Sequence, residues 1–126
     1  MDMGSFKIDG TEFGIGNIKL SLDNGLLNLQ VTGDSSIFDR LMDNGGSEWD
    51  WALYAPKIYF NNVPYKGGIL EIDNSVLNRY DIALYMMEYN DFTGIIEISE
   101  SNINIQGNVD LMGKIMPVSI TAVNPQ

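Results

Sequence analysis

The stretch Ile18-Lys19-Leu20-Ser21-Leu22-Asp23-Asn24-Gly25-Leu26-Leu27-Asn28-Leu29-Gln30-Val31 decides the fold class. Ile18, Leu20 and Leu22 recur at every second position, with Lys19 and Ser21 between them. That period of two belongs to a strand with one buried face. Asn24-Gly25 tolerates the positive φ angles of a type I′ turn, the tightest antiparallel connection. The return strand places Leu27, Leu29 and Val31 inward and Asn28 and Gln30 outward. Residues from about 15 to 32 therefore form a β-hairpin.

The same pattern continues on both sides. Phe6-Lys7-Ile8 alternates and meets Asp9-Gly10, a second hairpin turn. Downstream, Trp49, Trp51 and Leu53 share one face of a strand, and Ile58 and Phe60 continue it after Pro56. Pro56 has no N–H for a ladder and points to a bulge or an edge. Asn61-Asn62 and Lys66-Gly67-Gly68 bracket a turn-rich connection, after which Leu70 and Ile72 alternate with Glu71 and Asp73. From Tyr80 to Val123 the pattern reads as a β-meander. Within it, residues 82–87 are apolar on both parities, as in a strand buried on both faces or lining a ligand cavity. Asp91 to Gly94 and Glu100 to Asn102 read as turns, and Gly113 and Pro117 as breaks in the ladder. Gly94, Gly107 and Gly113 are candidate kinks for a curved sheet. One short helix is expected near 36–42, where Ser36 and Asp39 resemble a capping box ahead of Asn44-Gly45-Gly46. The expectation is one all-β domain over residues 1–126. It has about eight to ten short antiparallel strands, as a barrel or as a strongly curved sheet or sandwich.

Composition narrows the chemistry. Hydrophobic residues make up 44% and charged residues 19% of the 126 residues, enough apolar side chain for a packed core. Cysteine and histidine are absent, which excludes disulfides, thiolate chemistry, Cys/His zinc sites and Ser-His or Cys-His catalysis. Seventeen acidic against seven basic residues give a formal charge of −10. The cations are isolated along the chain, so direct nucleic-acid binding is not expected. Met1-Asp2-Met3-Gly4-Ser5 has no apolar run of a secretion signal behind it. Ile82 to Met87 is far too short to span a bilayer. These features imply a cytoplasmic protein without membrane insertion. Asn124-Pro125-Gln126 reads as a frayed end.

Several motifs imitate chemical sites. Gly14-Ile15-Gly16 begins like a dinucleotide fingerprint, but Lys19 stands where the third glycine belongs and a strand follows. These glycines suit a bulge or turn. Gly107 to Lys114 imitates a phosphate loop, yet five residues separate Gly107 from Gly113 and Ile115 replaces the metal-binding hydroxyl. The loop from Asp43 to Asp50 is rich in oxygen ligands but lacks the spacing of a calcium loop. The carboxylate pairs Glu48/Asp50 and Glu97/Glu100 have nothing to place them in a cleft, as glycoside hydrolysis requires. No catalytic residue, cofactor or metal site is assigned.

What remains is binding. Trp49, Trp51, Tyr54, Tyr59 and Tyr65 form one aromatic-rich stretch, and Tyr85, Met86, Met87 and Tyr89 another. Acids concentrate near 34–50 and 88–100. Carboxylates at Asp43, Glu48, Asp50, Glu88 and Asp91, with Trp49, Tyr54 and Tyr89 as desolvated anchors, suit a basic protein partner. The expected function is non-enzymatic occlusion of such a partner, as in a bacterial immunity protein that neutralises a toxin such as a nuclease, or an inhibitor of a nucleic-acid-binding protein. Two alternatives stand beside it. One is a small apolar-ligand or lipid carrier, motivated by the doubly apolar segment and its methionines. The other is a structural or assembly module using an exposed edge. Ile103-Asn104-Ile105-Gln106-Gly107 through Pro117-Val118-Ser119-Ile120 resembles the closing hairpin of YceI-type lipid-binding barrels. That resemblance covers only this short piece and carries over no functional residue.

Overall fold

The computed structural model describes residues 3–34, 56–86, 88–111 and 113–125. In chain order the elements are β1 (Gly4–Ile8), β2 (Thr11–Phe13), β3 (Ile15–Asp23), β4 (Leu26–Gly33), β5 (Lys57–Pro64), β6 (Ile69–Ile72), α1 (Asn74–Arg79), β7 (Asp81–Met86), β8 (Glu88–Asn90), β9 (Phe92–Ile98), β10 (Asn102–Leu111) and β11 (Lys114–Val123). They form two antiparallel sheets that do not close into a barrel. One has the order β2-β1-β11-β10-β9-β6 and the other β3-β4-β5-β7-β8. The all-β expectation holds, in its curved-sheet or sandwich form. The described strands number eleven, above the expected eight to ten. β2 and β8 are three residues each, too short to show a period.

Alternation explains the packing. Leu27, Leu29 and Val31 of β4, Ile58 and Phe60 of β5, and Ile82 and Leu84 of β7 point into the interior from one sheet. Phe6, Phe92, Ile96, Ile103, Ile105 and Ile120 face them from the other and are fully buried. These side chains belong to one continuous core. Burying each of them contributes about 1.5–3 kcal/mol relative to exposure.

The β3–β4 hairpin has the predicted turn and pairing, but β3 is an edge strand, so Ile18 and Leu20 are only half-buried and Leu22 is exposed. Asp23 pairs with Leu26, and Asn24 and Gly25 take φ of 56° and 77°. These are the left-handed values that a type I′ turn needs at both central residues. Asp9-Gly10 closes β1 on β2 in the same way. Gly16 is the extra residue of a bulge between Ile15 and Asn17, consistent with the bulge reading of the Gly14-Ile15-Gly16 motif. Gly113 sits in the β10–β11 turn and is not a strand kink, and a strand follows it in place of the helix a phosphate loop requires. Gly94 and Gly107 lie opposite one another in β9 and β10. A Cβ on Gly107 would overlap the Thr93 carbonyl oxygen and lie 2.8 Å from the Phe92 ring. The two strands approach so closely only because both positions lack a side chain.

Other expectations change. The segment from Tyr80 to Val123 is not one meander: β7 and β8 belong to one sheet and β9 to β11 to the other. The chain crosses between them at Asp91, so Phe92 to Gly94 continue a strand and do not turn. Pro56 precedes β5 and marks neither an edge nor a bulge, because β5 lies between β4 and β7. Its carbonyl accepts from Gly33 N at 2.7 Å. The bulge of β5 falls at Asn61-Asn62, where Asn62 has φ 53° and its N–H donates to Asn28 Oδ1 at 3.0 Å. Pro117 does not break β11. Its carbonyl accepts from Asp9 N at 2.8 Å, so the missing N–H lies on the same side, just beyond the end of β1. Asn124 is tied down, donating from its backbone to Ser101 and from its side chain to Ser99. The helix expected near 36–42 lies outside the described residues. The described helix, α1, was not anticipated. Asp73 caps it by accepting from Val76 N at 3.0 Å, and six residues are too few for a helical period to show.

Tyr65 stitches the two sheets together. Its backbone N–H donates to Gly25 in the β3–β4 turn. Its hydroxyl donates to the Gly68 carbonyl at 2.7 Å and accepts from Ile98 N of β9 at 3.0 Å. Of the aromatic-rich stretch, this residue is structural.

Candidate functional site

The outer faces of the two sheets differ. On the six-stranded sheet the outer positions are mixed: Ser119, Thr121 and Asn108 stand among charged Lys7, Glu71 and Glu97 and the exposed Ile69, Ile115 and Val123. Gln106 Nε2 there donates to Asn104 Oδ1 and to Ser119 Oγ, both at 3.0 Å. Around Gln106 the polar side chains satisfy one another.

The five-stranded sheet turns aromatic rings outward. Ile58, Phe60, Ile82 and Leu84 are buried, so alternation directs Tyr59, Ala83 and Tyr85 to the other side. The residues 82–87 are therefore not a doubly buried strand: Ala83 and Tyr85 are half-buried on the outer face. Register then aligns Thr32, Lys57, Tyr85 and Tyr89 across four strands. Tyr89 is 71% exposed. Its ring packs edge-on to Tyr85 at 5.1 Å between centroids and tilted to Tyr59 at 6.0 Å. The small Ala83, opposite Tyr59, leaves room for that diagonal contact. Lys57 Nζ lies 5.7 Å from the Tyr59 ring centroid, within cation–π range.

Between Tyr59 and Tyr89 the surface dips into an open groove of about 230 Å³, lined by these two tyrosines with Asn61 and Asp81. Asn61 and Asp81 are register partners on β5 and β7, and Asn61 Nδ2 donates to Asp81 Oδ2 at 2.8 Å. Asn61 also borders a second concavity of about 250 Å³, where Asn28, Gln30, Lys19 and Ser21 add polar groups. The face thus joins exposed aromatic area, a positioned carboxylate and amides.

Of the residues expected to meet a partner, Asp43, Glu48, Trp49, Asp50 and Tyr54 lie outside the described residues, as do Trp51 and the Asp43–Asp50 loop. Glu88 and Tyr89 are neighbours on β8, and both are exposed. Asp91 does not join Tyr89. It lines a separate concavity of about 260 Å³ with Asp110, Asn108, Thr93, Asn74 and Ile115. The acids of 88–100 are likewise divided: Glu88 sits at the rim of the five-stranded sheet, while Glu97 belongs to β9 of the other. Glu100 follows in the β9–β10 turn. Among the described residues no three acidic groups converge as a metal site requires. No described helix is long and apolar enough to cross a membrane. Asn61 and Asp81 were not anticipated, because their pairing links residues 20 apart in sequence. Two lining residues carry a sequence signal: Tyr89, expected as a partner anchor, and Tyr59, whose parity between Ile58 and Phe60 predicts an outward ring.

No family model, curated protein or solved structure matches this chain.

Proposed function

We propose that this protein is a non-enzymatic acidic docking module that neutralises a basic protein partner by covering its working surface, as a bacterial immunity protein covers a toxin. The observation that carries the reading is the exposed tyrosine cluster on the outer face of the five-stranded sheet. There Tyr89 shares a groove with Asp81, and Glu88 precedes it at the exposed rim of the sheet, in a chain of net charge −10. Rigid aromatic side chains supply contact area at low entropic cost, and carboxylates around them select cationic partners and speed encounter. The carboxylates of the described residues sit on both sheets, so charge alone does not define the docking face. The coincidence of charge with exposed aromatic area does.

The test is affinity capture at low ionic strength with wild type and with the variant Glu88→Lys/Tyr89→Ala. A basic protein should be retained by wild type, released at moderate salt, inhibited when bound, and lost to the variant. If only acidic or neutral proteins are retained, or if retention ignores salt, the reading is wrong.

A further inference from the structure

We propose that the groove between Tyr59 and Tyr89 is a receptor slot for an arginine side chain. The proposal rests on the basic-partner reading and specifies which chemical group of that partner the site takes. Arginine carries a planar guanidinium with five N–H donors and no acceptor. A site for it therefore needs a flat face to stack on, acceptors at its edge, and no cation of its own. The groove meets each condition. Tyr59 and Tyr89 line it as rings packed against each other, centroids 6.0 Å apart and tilted by 37°, and the largely exposed ring of Tyr89 offers the flat face. Its polar lining is Asn61 and Asp81. Asn61 Nδ2 already donates to Asp81 Oδ2 at 2.8 Å. That bond holds the carboxylate in place. Asp81 Oδ1 and Asn61 Oδ1 remain as acceptors.

The slot discriminates by shape as well as charge. A lysine ammonium is compact and strongly hydrated, and it neither stacks on a ring nor bridges two separated acceptors in one plane. Lys57 Nζ already lies 5.7 Å from the Tyr59 centroid, within cation–π range, so the ring left for a ligand is Tyr89. Lys57 does not line the groove, and Tyr89 is the open ring beside Asp81.

The experiment titrates the full chain with two short peptides of equal length and charge, one all-arginine and one all-lysine, at low salt. Affinity is read by calorimetry and location by NMR. The arginine peptide should bind roughly tenfold more tightly, the size of a partly desolvated cation–π contact. It should shift the Asn61 side-chain amide and the Tyr59 and Tyr89 ring signals. Asp81→Asn and Tyr89→Ala, which change exposed side chains, should each remove the arginine preference while circular dichroism stays unchanged. Equal, salt-sensitive binding of both peptides that ignores Asp81→Asn overturns the slot and leaves the acidic docking reading standing. An arginine preference whose shifts fall elsewhere on the surface also overturns it. Binding of neither peptide at low salt overturns the slot and the docking reading together.

Discussion

Tyr65→Phe isolates the stitch between the sheets. The substitution keeps the ring, which is 8% exposed and part of the core, and removes only the hydroxyl. Two backbone groups then lose their partner: the Ile98 N–H, which donates to the hydroxyl at 3.0 Å, and the Gly68 carbonyl, which accepts from it at 2.7 Å. Both bonds are partly buried, so water replaces them incompletely. Leaving such groups unsatisfied costs about 1–3 kcal/mol. In a domain of this size that lowers Tm by roughly 4–12 °C. Urea unfolding followed by circular dichroism measures it, with the midpoint falling and the slope unchanged. Tyr65→Ala should cost a further 3 kcal/mol or so, because the cavity left by the ring adds to the lost bonds. A Tyr65→Phe protein within about 0.3 kcal/mol of wild type would refute the argument. The inter-sheet tie would then be the ring alone.

Gly107→Ala should destabilise the protein by about 3 kcal/mol, since its Cβ must displace the Thr93 carbonyl and the Phe92 ring in a filled core; thermal unfolding reads it directly. Gly25→Ala meets open space yet holds φ at +77°, so a loss of about 1 kcal/mol is expected from backbone strain alone. A loss at Gly25 equal to that at Gly107 would contradict the distinction between strain and overlap.

The sandwich explains why one face suits docking. Each sheet commits alternate residues to a shared core, and what remains is two outer faces with different contents. The six-stranded sheet mixes serine, threonine, asparagine and glutamine at its outer positions with charged side chains and with exposed Ile69, Ile115 and Val123, and none of its strands carries a tyrosine. The five-stranded sheet places tyrosines on three neighbouring positions of β5, β7 and β8. Asn90 steadies that edge. It is the buried polar residue of β8, and its Nδ2 donates to the carbonyls of Glu88 at 2.9 Å and Leu84 at 3.3 Å. The hairpin that presents Tyr89 is therefore anchored from beneath.

The sequence by itself determined the β class, the β3–β4 and β1–β2 turns and the inward residues of β4 and β5. These follow from side-chain alternation and from φ preferences of Asn-Gly and Asp-Gly, which act within a few residues. It also pointed Tyr59 outward, through its place between two core residues. Tertiary structure decided which strands share a sheet, and so divided the apparent meander at Asp91 and parted Glu88 from Asp91. It decided that Gly94 faces Gly107, that Asn61 meets Asp81, and that Tyr59, Tyr85 and Tyr89 lie together. Local pattern fixes the side of a strand on which a residue lies. Only long-range pairing fixes its neighbour there, because register is set by the packing of both sheets against one core.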